Sequence, residues 1–222
     1  MSARGPKKAL SAFMPVPHQT ALWSAQSGDL RCTALRLCDG SLCLYSPVAG
    51  LGGAARDSLA ALGDVSVLFA PNHYHNKGLV EYRAAFPGAQ LMCSARARPR
   101  LEKQTGLSFC DSDLRPLLSE GFGVSEPEGL KTGEVWLECN ASAGPIWVVC
   151  DAFRGPAGPL GHVGAELGLL GTFPNFGIQD RATYRAWVNA KLASGAPSIV
   201  VPCHGAVVEA QDLAETIAGL LA

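Results

Sequence analysis

Three of the five histidines in this chain and one aspartate stand in loops that directly follow apolar runs. His73 and His75 follow Val65 to Ala70, Asp151 follows Ile146 to Cys150, and His204 follows Ser198 to Val201. Loops at strand ends are where α/β folds gather reactive groups. Imidazole nitrogens and a carboxylate oxygen suit zinc first, and iron or manganese as well. Two histidines one residue apart point to the same side of an extended chain and can chelate one ion. A plainer reading stays open beside this one, with the His-x-His loop a surface or hydrogen-bonded pair and Asp151 a turn or cap residue. The shared placement of the four residues favours the metal reading.

The elements that must position these residues are legible around them. Arg31 to Leu37 and Ser41 to Tyr45 are strand-like and flank Asp39-Gly40, a hairpin signal. Ala54 to Leu62 has helical spacing and ends at Gly63, and Val65 to Ala70 is a continuous apolar run, as in a strand covered on both faces. Leu79 to Phe86 is predicted as a helix stopped by Pro87-Gly88, followed by a strand over Ala89 to Cys93. Gly106 to Gly129 carries repeated breakers and is read as irregular. Val135 to Cys139 and Ile146 to Cys150 form a second strand pair. Gly155 to Gly177 reads as a surface excursion with room for a short helix near Glu166 to Leu169. Asp180 caps a helix over Arg181 to Ala193, Ser198 to Val201 is the last strand, and Glu209 to Leu221 is an amphipathic closing helix. Two runs from paired strands into helix and strand predict an α/β (α+β) fold, a four-layer αββα sandwich. One domain is expected over residues 1–222, with residues 1–20 loosely ordered.

Composition narrows the function classes. With 222 residues, 48% of them hydrophobic, the chain can bury a large core. Its 18 Lys+Arg against 19 Asp+Glu give no long-range field for nucleic acid or an anionic membrane. Arg96, Arg98, Arg100 and Lys103 read as a solvated helix face, with no aromatic stacking platform after them. The basic start from Met1 to Lys8 leads into no apolar run of signal-peptide or membrane-span length, so the expectation is a soluble, cytoplasmic protein. Its expected partner is a small-molecule substrate or ligand, with no nucleic acid and no membrane; a homo-oligomer is allowed. The eight cysteines show no CxxC and mostly sit in strand-like runs, where a reduced cysteine acts as a small hydrophobe.

The order and spacing resemble the metallo-β-lactamase superfamily, whose first motif is HxHxDH, followed by a separate histidine, an aspartate after a strand, and a histidine near the C-terminus. Asn72-His73-Tyr74-His75-Asn76-Lys77-Gly78 keeps His73 and His75 but has Lys77 at the family's aspartate and Gly78 at its third histidine. Lys131, in Gly129 to Gly133, stands at the place of the separate histidine. Asp151 corresponds to the bridging aspartate and His204, in Val200 to Gly205, to the final histidine. A closer resemblance is to a divergent branch of the superfamily in which the dinuclear site is reduced. It is carried by Ser46-Pro47-Val48, Ala61-Leu62-Gly63 with Val65, Ala70-Pro71-Asn72, Phe86-Pro87-Gly88-Ala89 and the strand before Asp151.

The resemblance implies at most one divalent metal, with His73, His75 and Asp151 as ligands and a fourth position for water. His204 is then a further ligand or a hydrogen-bonding group near that water, and Asp151 and His204 carry the catalytic role. Lys77 and Lys131 are candidates to bind substrate, or to pair with Asp151 in place of metal. His162, in the excursion after Asp151, is a candidate to close over the pocket. Two functions follow: a metal-dependent hydrolase of unknown substrate, or a catalytically silent, metal-free binding module of the same fold.

Overall fold

A computed structural model of the chain describes residues 9–159 and 161–222, so the basic start lies outside the described residues. From Leu10 onward the expectation of a loose N-terminus is overturned. Leu10, Phe13 and Val16 are buried, and β1 (Met14–Pro15) pairs antiparallel with β2 (Leu22–Ser27). These apolar residues are too sparse to announce an element, yet each fills a space on one face or the other of the first sheet.

β3 (Leu30–Arg36) and β4 (Leu42–Tyr45) form the expected hairpin. Gly40 takes the left-handed φ of 86° that the turn needs, and Asp39 Oδ1 accepts hydrogen bonds from the Ser41 amide and hydroxyl. Helix α1 (Gly53–Leu62) carries the chain to β5 (Val65–Ala70), parallel to β4, and α2 (Leu79–Ala85) carries it to β6 (Gln90–Cys93), parallel to β5. The order of this six-stranded sheet is β1-β2-β3-β4-β5-β6. After α3 (Arg98–Thr105), the stretch read as irregular contributes β7 (Phe122–Ser125), which hydrogen-bonds along β8 (Trp136–Ala141). β9 (Gly144–Val149), β10 (Phe153–Arg154), β11 (Val163–Gly164) and β12 (Gly168–Leu169) follow, then α4 (Phe173–Phe176), α5 (Arg181–Gly195), β13 (Ile199–Pro202), β14 (Val207–Glu209) and α6 (Leu213–Leu220). The second six-stranded sheet has the order β11-β14-β13-β9-β8-β7, and β10 pairs with β12 separately. The excursion at 155–177 thus holds two short strands and α4; Gly168–Leu169 is strand where a helix was expected, because its backbone pairs with Phe153–Arg154.

Strand alternation sorts the side chains into layers. Ile146 and Val148 of β9, with Leu137 of β8 and Val201 of β13, face Tyr45, Val67 and Phe69 of the first sheet. Trp147 and Val149 turn the other way, onto Tyr184 and Val188 of α5 and Ile217 of α6. Ala55 and Leu59 of α1, Tyr82 of α2 and Leu101 of α3 cover the outer face of the first sheet. Helix, sheet, sheet, helix is the four-layer αββα arrangement. No helix among the described residues is long and apolar enough to cross a membrane. All eight cysteines are free, and six of them are buried: Cys32, Cys43, Cys93, Cys139, Cys150 and Cys203.

β13 runs parallel to β9 with Pro202 opposite Val149. Cys150-Asp151 and Cys203-His204 therefore leave their strands at the same level. Asp180 caps α5 as its sequence position predicts, its carboxylate accepting from the amide and the hydroxyl of Thr183. Asp180→Ala should destabilise the protein by about 1 kcal/mol in urea unfolding, with the slope unchanged.

Candidate metal centre

The loop after β5 is built by Asn72, which is fully buried. Its Oδ1 accepts from the amides of Tyr74 (2.8 Å) and His75 (3.2 Å), an Asx-type turn. Its Nδ2 donates to Asp151 Oδ2 at 2.8 Å and to Cys150 Sγ at 3.3 Å. One side chain thus shapes the histidine loop and ties it to the end of β9.

The turn decides which histidine reaches the centre. His75 Nε2 lies 2.9 Å from Asp151 Oδ1, and His204 Nε2 lies 3.1 Å from the same oxygen. The ligand atoms of His75, Asp151 and His204 all lie within 4.8 Å of one another. His73 stands apart from this group. The chain is turned rather than extended at 72–75, so residues 73 and 75 do not share a side. The His73 ring packs against Tyr74, and its Nε2 is 3.4 Å from Arg100 Nη1. Burial and the Arg100 charge push the His73 pKa down. Arg100 also stacks over Tyr74, 4.6 Å from the ring centroid, so part of the basic face of α3 braces this loop.

The outer nitrogens of the two converging histidines are also held. His75 Nδ1 shares a 2.7 Å hydrogen bond with Ser46 Oγ, and His204 Nδ1 lies 3.4 Å from Asp29 Oδ2. Ser46 has φ 59°, a conformation that L-residues adopt rarely. Such outer partners fix tautomer and ring orientation in metal-binding histidines. The donor set of two imidazoles and one carboxylate fits a divalent ion and leaves the cavity side open for a further ligand. Two further triplets of potential ligand atoms within 4.8 Å lie beneath, His75 with Cys150 and Cys203, and Glu134 with Cys150 and Asp151.

Glu134 is the residue that sequence reading missed. Its buried carboxylate accepts from the amides of Cys150 (3.2 Å), Asp151 (3.1 Å) and Ala152 (3.3 Å) and from Trp136 Nε1 (2.8 Å). All four partners are N–H donors, so the loop that carries Asp151 is folded around this one side chain. The available signal was a carboxylate within a mostly apolar stretch, where charge is rare unless paired.

The charges are strongly interdependent. Burial alone would lower His75, but the charge and hydrogen bond of Asp151 prevail and raise its pKa to about 9. Burial likewise opposes His204, which the Asp151 hydrogen bond raises. For Asp151, burial works against ionisation, yet His75, His204 and Asn72 hold its carboxyl well below the usual range. Burial and the Asp151 charge push Glu134 up to about 7.

A cavity of about 560 Å³ opens above the cluster, lined in part by His75, Asp151, His204, Lys77, Thr132 and Phe176. Lys77 is exposed on its wall. Lys131 is not on the lining; its Nζ donates to the Asn175 carbonyl at 2.9 Å, and the next residue, Thr132, faces the cavity. His162 is exposed, packs near Gly158 and does not line the cavity, so it does not close over the site in this conformation. Gly78 is held where a Cβ would lie 2.3 Å from the Pro47 carbonyl oxygen. Backbone thus occupies the space beside the centre that a larger residue at position 78 would need.

No family model matches the sequence, and no curated protein matches it. Solved structures do. The chain is similar to a metallo-beta-lactamase from Hirschia baltica (TM-score 0.63, 13% identity, 96% of this chain and 98% of that one). It is also similar to the metallo-beta-lactamase FIM-1 from Pseudomonas aeruginosa in its mono-zinc form (0.62, 15%, 97% and 96%). A metal-soaked flavodiiron core from Synechocystis matches at 0.58 and 15% identity, over 97% of this chain and 62% of that one. Together with the layers described above, these likenesses show that the chain has the metallo-β-lactamase fold.

Two measurements follow. His75 ordinarily titrates near pH 6.5, so its raised value means that the folded state binds this proton more tightly than the unfolded state. In chelator-treated protein its contribution is complete below about pH 6.5 and is lost as pH rises through about 9. Asp151, shifted the opposite way, keeps its contribution at all pH values above the ordinary carboxylate range and loses it only as pH falls further. The metal-free protein should therefore melt at a lower temperature near pH 10 than near pH 6.5, and His75→Gln should remove most of that difference; equal pH slopes would refute the assignment. Gly78→Ala should cost about 2 kcal/mol or more in urea unfolding, through overpacking against Pro47.

Proposed function

We propose that the protein is a metal-dependent hydrolase with a single divalent ion, zinc by preference, held by His75, Asp151 and His204. The observation that carries this reading is the convergence of both Nε2 atoms on one Asp151 oxygen at the floor of an open cavity. A bound ion there supplies Lewis-acid polarisation of an acyl or phosphoryl oxygen. Within the chain, Glu134 and Asn72 position Asp151, Ser46 positions His75, and Asp29 lies beside the outer nitrogen of His204, the more exposed of the two histidines. His73 contributes through its packing in the loop. The mono-zinc form of one structural neighbour gives a precedent for a single ion in this fold.

A second reading has its own support. Asp151 is already met by three side-chain donors and charge-balanced by His75, so the cluster is satisfied without metal, as a ligand-binding module of this fold would be. Elemental analysis of protein purified without added metal separates the two. The hydrolase reading expects close to one equivalent of metal in the parent, reduced by at least about tenfold in His75→Ala. A parent carrying only a trace favours the metal-free module and removes the hydrolase.

A further inference from the structure

The cavity over the cluster has walls that metal binding alone does not require. Leu30, Val48, Phe173 and Phe176 form an apolar lining, and Phe176 remains 56% exposed. Two polar groups on the same lining have no use inside the protein. Thr132 is 1% exposed, and its hydroxyl has no hydrogen-bond partner. A buried hydroxyl left unmet is destabilising, so a ligand group in the cavity that Thr132 lines would relieve it. Lys77 is exposed on the wall, and no acidic side chain pairs with its ammonium among the described residues.

We propose that this cavity binds a medium-chain acyl group, with the acyl oxygen or carboxylate met by Thr132 Oγ1 and Lys77 Nζ and the alkyl chain laid along Leu30, Val48, Phe173 and Phe176. The volume of about 560 Å³ is in the range that encloses such ligands. A phosphorylated ligand is disfavoured, because the lining has no arginine and only one ammonium. In naming the substrate as an acyl ester or thioester the proposal rests on the hydrolase reading, whereas carboxylate binding is independent of turnover. In that hydrolysis the oxygen of water bonds to the acyl carbon, the bond to the alcohol or thiol breaks, and the leaving group departs with one of water's protons. Water's other proton passes to solvent, and the product is a carboxylate held at the Thr132 and Lys77 end.

The test is calorimetric binding of butanoate, hexanoate, octanoate and octanol to the full chain. Affinity should rise about fourfold per methylene, and octanoate should be preferred over octanol by about tenfold. Thr132→Val and Lys77→Met should each reduce that preference. Thr132→Val should melt no lower than the parent, since it removes an unmet hydroxyl, whereas Phe176→Ala should flatten the dependence on chain length. No octanoate binding, or a preference unchanged in both headgroup variants, overturns the proposal. Metal-loaded protein is then assayed with acetyl and octanoyl esters. Chain-length-dependent binding without ester turnover overturns the hydrolase reading and leaves the acyl site standing. Equal turnover of both esters without carboxylate binding does the reverse.

Discussion

A buried carboxylate costs several kcal/mol unless its charge and its lone pairs are all met. Asp151 meets that demand with three donors from two separate loops: Asn72 and His75 after β5, and His204 after β13. Its own loop is set by Glu134, which gathers three consecutive amides. The Asp151 charge disfavours ionisation of Glu134, and the histidines supply the charge that holds Asp151 ionised. The loops are thus mutually dependent. Removing any one donor leaves part of a buried carboxylate unmet, which is why such networks act as a unit.

Much of the fold was legible because period and breakers agree with the tertiary structure. The Asp39-Gly40 hairpin, the run from Val65 to Ala70 and the Asp180 cap are local signals that tertiary packing has no reason to override. β2 and the segment from Leu10 to Val16 were not legible, because Leu22–Ser27 mixes polar and apolar residues on strands that are buried on both faces. At the site, the strand-end positions of His75, Asp151 and His204 could be read from sequence, since parallel pairing of β9 and β13 brings equivalent ends to one level. The separation of His73 from His75 could not. It depends on whether Asn72 caps two amides or leaves the loop extended, a choice made by its bonds to Cys150 and Asp151, distant in sequence.

Gly78 and Ser46 belong to one packed unit beside the cluster. At Gly78 the backbone of Pro47 and Val48 comes within reach of any Cβ, so the loop after β4 packs directly against the start of α2. The same loop begins with Ser46, whose hydroxyl holds His75. One segment therefore both packs against Gly78 and orients the His75 ring. Lys77, the residue before Gly78, lines the cavity.

The two histidines are not equivalent in how firmly they are held. His75 is clamped from both ends, at 2.9 Å by Asp151 and at 2.7 Å by Ser46, and Ser46 adopts an uncommon left-handed conformation in doing so. Such a backbone persists only where its surroundings determine it. A contact to Asp151 alone would not require it, so the strain is spent on fixing the direction of the His75 ring. His204 has a 3.4 Å contact to the exposed Asp29, and its side chain is 17% exposed against 9% for His75. An ion held as proposed would have to replace the hydrogen bonds that converge on Asp151. Of the two imidazoles His204 is the less constrained, while His75 is held in the direction that Ser46 imposes.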